Sequence, residues 1–269
     1  MIPEDFQKYI RSNEFKELLA RYQQFLDNDD ITYFDADDLL DVAEYFHLKN
    51  NPDESMRAAQ CCLTLFPDNE KAQVFVARTH LMSGDTDKAE AVAETISTET
   101  LLDTIYLKAE LMVVRDRVEE AERYLRGHYD SLADSEGQNN SFYDDEEEDV
   151  EEMLCNYPLD VAILYVDYMQ CDYAESWLSM VNDAELLESA DYLECKARLL
   201  TGQEKYKEAI PVWNAFIDKQ AYSVLAWVQL SQCYYREGNC AEALQCAQYA
   251  VAIDSNMPDA YLAEGNCLF

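Results

Sequence analysis

Basic residues, glycine, proline and histidine are all scarce in this chain. Its 269 residues include 20 Lys and Arg against 55 Asp and Glu, a formal charge of −35 at pH 7. That deficit argues against generic nucleic-acid binding, because phosphate backbones are held by Lys and Arg. It argues against anionic membrane surfaces for the same reason. Six Gly and six Pro, beside 49% apolar residues, exclude a disordered chain and fit a well-packed helical one. Long apolar runs are missing: 161–166 is typical of the longest, far short of a membrane span. The start, Met1-Ile2-Pro3-Glu4-Asp5-Phe6, shows no basic region followed by an apolar stretch, so no secretory signal is read. The three histidines, His47, His80 and His128, neighbour no nucleophile motif and show no His-x3-His spacing. His80, on an otherwise apolar helix, reads as a packed core residue. Gly202 and Gly238 stand isolated, so no phosphate-cradling loop is present. The expectation is no catalytic, cofactor-binding or metal-binding residues, and no enzyme.

Nine cysteines occur without any Cys-x-x-Cys, singly or as the neighbours Cys61 and Cys62. Without a signal they read as reduced, mostly buried thiols acting as small apolar groups, and the expected compartment is cytoplasmic.

What the chain has in quantity is small residues on a beat near thirty-four. Ala43, Ala77, Ala109, Ala162, Ala197, Ser231 and Gly265 follow one another by 34, 32, 53, 35, 34 and 34 residues. A second series, Ala89, Ala121, Ala209 and Ala243, trails the first by twelve. Two interlocked series at a fixed offset imply a repeated helix pair that crosses where side chains must be small. Such pairs stack into an all-α solenoid whose units pack only on their neighbours.

Residues 1–35 read as a helical cap, with Phe6, Tyr9 and Ile10 on one face and Phe15, Leu18, Leu19, Tyr22, Phe25 and Leu26 at three-and-four spacing. The cap ends in the acidic stretch 27–30. Residues 36–128 hold repeats one to three, opened by Asp35-Ala36-Asp37-Asp38 as a helix cap and acidic first turn. They turn at Asn50-Asn51-Pro52-Asp53, Ser83-Gly84-Asp85 and Arg115-Asp116-Arg117, and Pro67 breaks the second helix of repeat one. Residues 129–157 read as an acidic insertion that accounts for the long step. Its run 144–152 lacks the alternating oxygen ligands and mid-loop Gly of a calcium loop and reads as solvated, mobile surface. Residues 158–257 hold repeats four to six. In repeat four both Ala174 and Ser176 are candidates for the second small residue. Repeat five turns at Thr201-Gly202-Gln203 and repeat six at Glu237-Gly238-Asn239. Residues 258–269 open a truncated seventh repeat, so the chain is expected to be an N-terminal fragment of a longer protein.

Repeat six reads Trp227-x2-Leu230-Ser231-x2-Tyr234-x3-Gly238-x4-Ala243-x6-Ala250. This resembles the tetratricopeptide repeat, with its Trp-x2-Leu-Gly-x2-Tyr opening and later Gly, Ala, Ala and Pro. Repeat five agrees at Leu193, Ala197, Leu200, Ala209 and Phe216; repeat two at Val76, Ala77, Gly84, Ala89 and Ile96; repeat one at Val42, Ala43, Phe46, Ala59 and Pro67. Two turns depart from the pattern, with Asp116 and Cys171 standing for glycine. The order of parts is similar to long bacterial-type multi-repeat members.

The resemblance implies a right-handed superhelix of antiparallel helix pairs whose concave groove, lined by first helices, holds a peptide or protein. Carried onto this chain, the groove positions are Leu40, Glu44, His47, Val74, Arg78, Leu81, Tyr106, Glu110, Val113, Arg198, Val228, Gln232, Tyr235 and Arg236. Arg78, Arg198 and Arg236 would be local positive points. The Lys that a carboxylate-clamping subtype needs at the fifth place is absent: Leu40, Val74, Tyr106, Glu194, Val228 and Leu262 stand there. The expected function is a protein-interaction scaffold. The alternatives are a structural module that self-associates, or an accessory region of a larger protein whose catalytic domain lies beyond Phe269.

Overall fold

The computed structural model describes residues 4–28, 33–97, 101–136 and 150–268. Among them every regular element is a helix, sixteen in all. Most of the expected acidic loop, residues 137–149, lies outside the described residues, as do 29 and 30 of the first acidic turn and Phe269.

Two compact units divide the chain, residues 1–121 and 122–269. In unit 1, α1 (Glu4–Tyr9) and α2 (Asn13–Asn28) precede the pair α3 (Ala36–Leu48) and α4 (Pro52–Leu65). The pair α5 (Glu70–Met82) and α6 (Thr86–Ala93) follows, then α7 (Leu102–Val114) and the first turn of α8 (Val118–Glu136). In unit 2 the rest of α8 precedes α9 (Val150–Asp167), α10 (Cys171–Leu178) and the single turn α11 (Ala184–Leu187). Then come α12 (Ala190–Gly202) with α13 (Tyr206–Lys219), α14 (Val224–Arg236) with α15 (Cys240–Ile253), and α16 (Pro258–Leu268). Within each unit a first helix touches its own second helix and the next first helix, as α12 touches α13 and α14, and each second helix touches the following pair.

Part of segment 129–157 is helix rather than loop. Leu132, Met153 and Tyr157 are buried at helical spacing, and these apolar contacts carry α8 to Glu136 and start α9 at Val150. The N-terminal helices bury Phe15, Leu18 and Tyr22 against α3, with the Phe15 and Tyr45 rings 5.1 Å apart.

The small-residue beat marks the helix crossings. Ala43, Ala77, Ala109, Ala162, Ala197 and Ser231 are buried, and so are the residues twelve later: Ser55, Ala89, Ala121, Ala174, Ala209 and Ala243. Ala174 is therefore the second small residue of repeat four, and Ser176 is exposed. Serine is accommodated only with its hydroxyl satisfied. Ser55 donates to the Ala43 carbonyl at 2.8 Å, and Ser231 donates to the Ala243 carbonyl at 2.8 Å, the same bond with the helices exchanged.

Each first helix closes with the same turn, seven residues after its small residue. Asn50, Gly84, Asp116, Met169, Glu204 and Gly238 all have φ between 54° and 80°. At each, the next amide reaches five residues back, as Lys205 does to the Leu200 carbonyl at 2.9 Å and Asn239 to the Tyr234 carbonyl at 2.9 Å. The turn positions read earlier as Cys171 and Gly202 are thus Met169 and Glu204. Gly202 is the last residue of α12, and a Cβ there would sit 3.1 Å from the Cys171 sulfur, so its role is close packing.

A second recurring bond closes the boundary between repeats. Gln73 Nε2 donates to the Pro67 carbonyl (3.1 Å), Trp227 Nε1 to the Ala221 carbonyl (2.8 Å) and the Tyr261 hydroxyl to the Ser255 carbonyl (3.2 Å). All three donors sit four residues before the small residue and reach six residues back.

Unit 2 is further fastened around one carboxylate. Glu122 accepts from the Tyr165 hydroxyl (3.0 Å), from Trp177 Nε1 (2.7 Å) and from Arg126 Nε (2.7 Å), tying α8 to α9 and α10. Arg126 lies 3.8 Å from the centre of the buried Trp177 ring and donates to Ser176 Oγ at 2.9 Å. Burial, and then the Glu122 charge, push the Tyr165 phenol well above its ordinary value, so it stays a donor.

All nine cysteines are free thiols, but only Cys62, Cys195, Cys233 and Cys246 are buried; four others are half-buried and Cys240 is exposed. The reading as mostly buried thiols therefore narrows to those four. Burial pushes Cys62 up to about 11 and Cys195 to about 12, which keeps them protonated and unreactive.

A left-handed residue with a side chain costs roughly 1 kcal/mol relative to glycine. Glu204→Gly should therefore raise the urea midpoint by an equivalent of about 1 kcal/mol, followed by circular dichroism. A lowered midpoint would contradict the turn assignment.

Candidate functional site

Contacts between successive first helices define one face in each unit. In unit 1, Lys71 of α5 lies 3.9 Å from Asp37 of α3, and Arg78 of α5 lies 3.0 Å from Asp103 of α7. The His47 ring of α3 meets Phe75 of α5 edge-on at 6.4 Å. Glu70 of α5 accepts from the Thr104 hydroxyl of α7 at 2.5 Å. In unit 2, Arg198 of α12 donates to Asp167 of α9 at 2.6 Å.

The fourteen expected positions separate into three groups. His47, Gln232, Tyr235 and Arg236 are exposed, and Leu40, Glu44, Arg78, Leu81, Tyr106, Glu110 and Arg198 are half-buried. Val74, Val113 and Val228 are buried, which corrects the expectation that they line an open surface. Val74 is sealed among Ala77, Ala89, Leu107 and Leu111, and Val228 among Ala247, Ala250, Ala260 and Ala263. Their branched side chains fill the space between helices. Two of the three expected positive points are already neutralised, Arg78 by Asp103 and Arg198 by Asp167. Arg236 is exposed and, among the described residues, forms no ion pair. His80 is half-buried at the end of α5 rather than packed in the core.

Sequence reading missed Asp41 and Leu225. Leu225 is 42% exposed at the start of α14, three residues before Val228. Asp41 stands one turn after Asp37, and that acidic i, i+4 spacing was the available signal. Its carboxyl is pushed up to about 6, chiefly by burial, and then by the charges of Asp37, Glu44 and Asp38, against a hydrogen bond from Tyr9. Burial also raises Glu44 on the same helix, with His47 opposing, and Glu194 in unit 2, with Arg198 opposing.

The early end of α6 leaves a cleft of about 270 Å³ in unit 1, floored by Ala93, Ile96, Leu111 and Met112. On its rim Glu90 holds Arg115 at 2.6 Å and Arg117 holds Glu120 at 2.6 Å. Among the described residues no group of three His, Cys, Asp or Glu could hold a metal ion, and no helix is long and apolar enough to cross a membrane.

Asp41 binds its proton more tightly folded than unfolded, so its contribution to stability is fully present below the unfolded value and is lost as pH rises through about 6. Asp41→Asn keeps an oxygen acceptor for Tyr9 while removing the charge. The variant should melt above the wild type at pH 7.5, with the gain fading towards pH 4. A gain that persisted at low pH would show that ionisation of Asp41 is not its source.

Residues 196–258 match the family model of the tetratricopeptide repeat. No curated protein matches the sequence. Among solved structures, the chain is similar to a chain of the APC/C hetero-tetramer Cut9-Hcn1, at 16% identity and TM-score 0.57 over 95% of this chain. It spans 46% of that chain, less than half. It is also similar to PilW, a widely conserved type IV pilus biogenesis factor, at 14% identity and TM-score 0.59, covering 84% of this chain and 97% of the other. At such identities the likeness concerns the fold. The crossings on a thirty-four-residue beat, the shared turn after every first helix and the matched segment 196–258 together give this chain an all-α fold of the tetratricopeptide-repeat type.

Proposed function

We propose that the chain is an interaction scaffold, binding a peptide or protein partner on the faces formed by its first helices. One observation carries this reading. Positions on these faces that are not needed for stacking keep large apolar groups in solvent: Met82 is 74% exposed, Tyr235 44% and Leu262 63%. Exposed apolar groups interspersed with polar ones suit docking of an amphipathic helix or an extended segment.

Tyr106 and Arg198 hold structure as well as surface, so the clean probes are the exposed residues. A partner isolated with the wild-type chain should bind the double variants His47→Ala/Met82→Ala or Tyr235→Ala/Arg236→Glu about tenfold more weakly, as expected when anchors worth over 1 kcal/mol are lost. Helicity by circular dichroism should be retained. Undiminished affinity in both variants would remove the first-helix faces from consideration.

Self-association is a second reading, favoured by Tyr222, Tyr249, Tyr261 and Leu262, all exposed in the last part of unit 2. Light scattering across concentration separates the two. A constant monomer mass sets self-association aside, and a mass rising towards the dimer that Leu262→Glu abolishes supports it.

A further inference from the structure

The unit 1 face has a charge balance that selects its occupant. Asp37, Leu40, Asp41 and Glu44 follow one another on α3 at intervals of three, one and three residues, which places them on one stripe of the helix. Three cations near this stripe are already committed: Lys71 to Asp37, Arg78 to Asp103, and Arg21 of α2 to Asp38 at 3.3 Å. Asp41 receives the Tyr9 phenol, a neutral donor. Glu44 is half-buried and, among the described residues, makes no hydrogen bond or ion pair; the charge that most favours its ionised form is His47, on the next turn. A partly desolvated carboxylate without a counter-ion is costly, and a cation brought to it relieves that cost. An acidic occupant would raise the cost and a neutral one would leave it in place. Leu40, one turn before Glu44 on α3, is half-buried, and the neighbouring first helix α5 ends in Leu81, half-buried, and Met82, largely exposed. The face therefore combines apolar cover with uncompensated negative charge.

On the reading that the first-helix faces hold a partner, we infer that the unit 1 face takes a basic amphipathic segment of a protein, with a Lys or Arg on Glu44 and apolar side chains over Leu40, Leu81 and Met82. The net charge of −35 steers such a segment to the surface, and Glu44 sets its register.

Three synthetic amphipathic helices with identical leucine faces, and Lys, Gln or Glu on the polar face, serve as probes. Each is titrated with the full chain at physiological salt and followed by fluorescence anisotropy. The Lys peptide should bind most tightly. Glu44→Gln should weaken it about tenfold, the loss expected for one charge-assisted contact. Glu119→Gln, which removes the same charge from an exposed position on α8, should leave binding within about twofold. Glu44→Gln should also unfold no earlier in urea than the wild type, so weaker binding cannot be ascribed to damage. Equal losses in the two variants would mean that net charge alone acts, overturning the inference. If the Gln or Glu peptide binds as tightly as the Lys peptide and Met82→Ala weakens it, the face stands as a docking site and the basic occupant is wrong. If no peptide responds to Glu44→Gln or Met82→Ala, the docking reading of this face fails with the inference.

Discussion

Both units depend on one close approach, made wherever the two helices of a pair cross. At that point the backbone of one helix lies within reach of a serine hydroxyl on the other, as the Ser55 and Ser231 bonds show. Nothing larger than a methyl or hydroxymethyl group occupies the twelve paired positions. The crossing fixes the separation of the helices, and through it the space that larger residues such as Val74, Val228 and Trp213 fill. It also fixes the point, seven residues on, where the chain must reverse. Met169 and Glu204 accept a left-handed backbone there because the hydrogen bonds that close the turn outweigh a penalty of roughly 1 kcal/mol.

Charge in this molecule is arranged by scarcity. Cations number 20 against 55 anions. Several bridge one helix to another: Lys71 and Arg78 join first helices in unit 1, Arg198 does so in unit 2, and Arg126 serves the Glu122 cluster. Exposed pairs of this kind contribute little to stability individually. Their larger effect is on the surface left behind, which keeps carboxylates such as Asp41 and Glu44 without a Lys or Arg ion pair among the described residues.

The helix crossings could be read from the chain because close backbone contact tolerates only Ala, Ser and Gly, a restriction visible as a beat. Turn positions were harder to read. The left-handed turn imposes so small a penalty that four of six repeats meet it without glycine, and Gly202, selected by packing against Cys171, imitated a turn. The ends of α8 and α9 were hidden by acidic residues that are compatible with helix as long as Leu132, Met153 and Tyr157 face inwards. The candidate face was legible only by register. Register places Val74 and Tyr235 on first helices alike, but the neighbours decide that one is sealed and the other open.

The bond that reaches six residues back at the repeat boundaries has a consequence for how such chains diverge. Its donors are an amide, an indole and a phenol, at Gln73, Trp227 and Tyr261. What is shared is a hydrogen to give at a certain distance from the helix axis, not a shape or a hydrophobicity. Drift among these side chains leaves the joint closed while erasing the aromatic letter by which a repeat is recognised. Recognition by residue type reaches the segment around Trp227 and passes over the one around Gln73, although the same joint is made in both. Kinship among these repeats is conserved in the architecture of the joint and lost from its spelling.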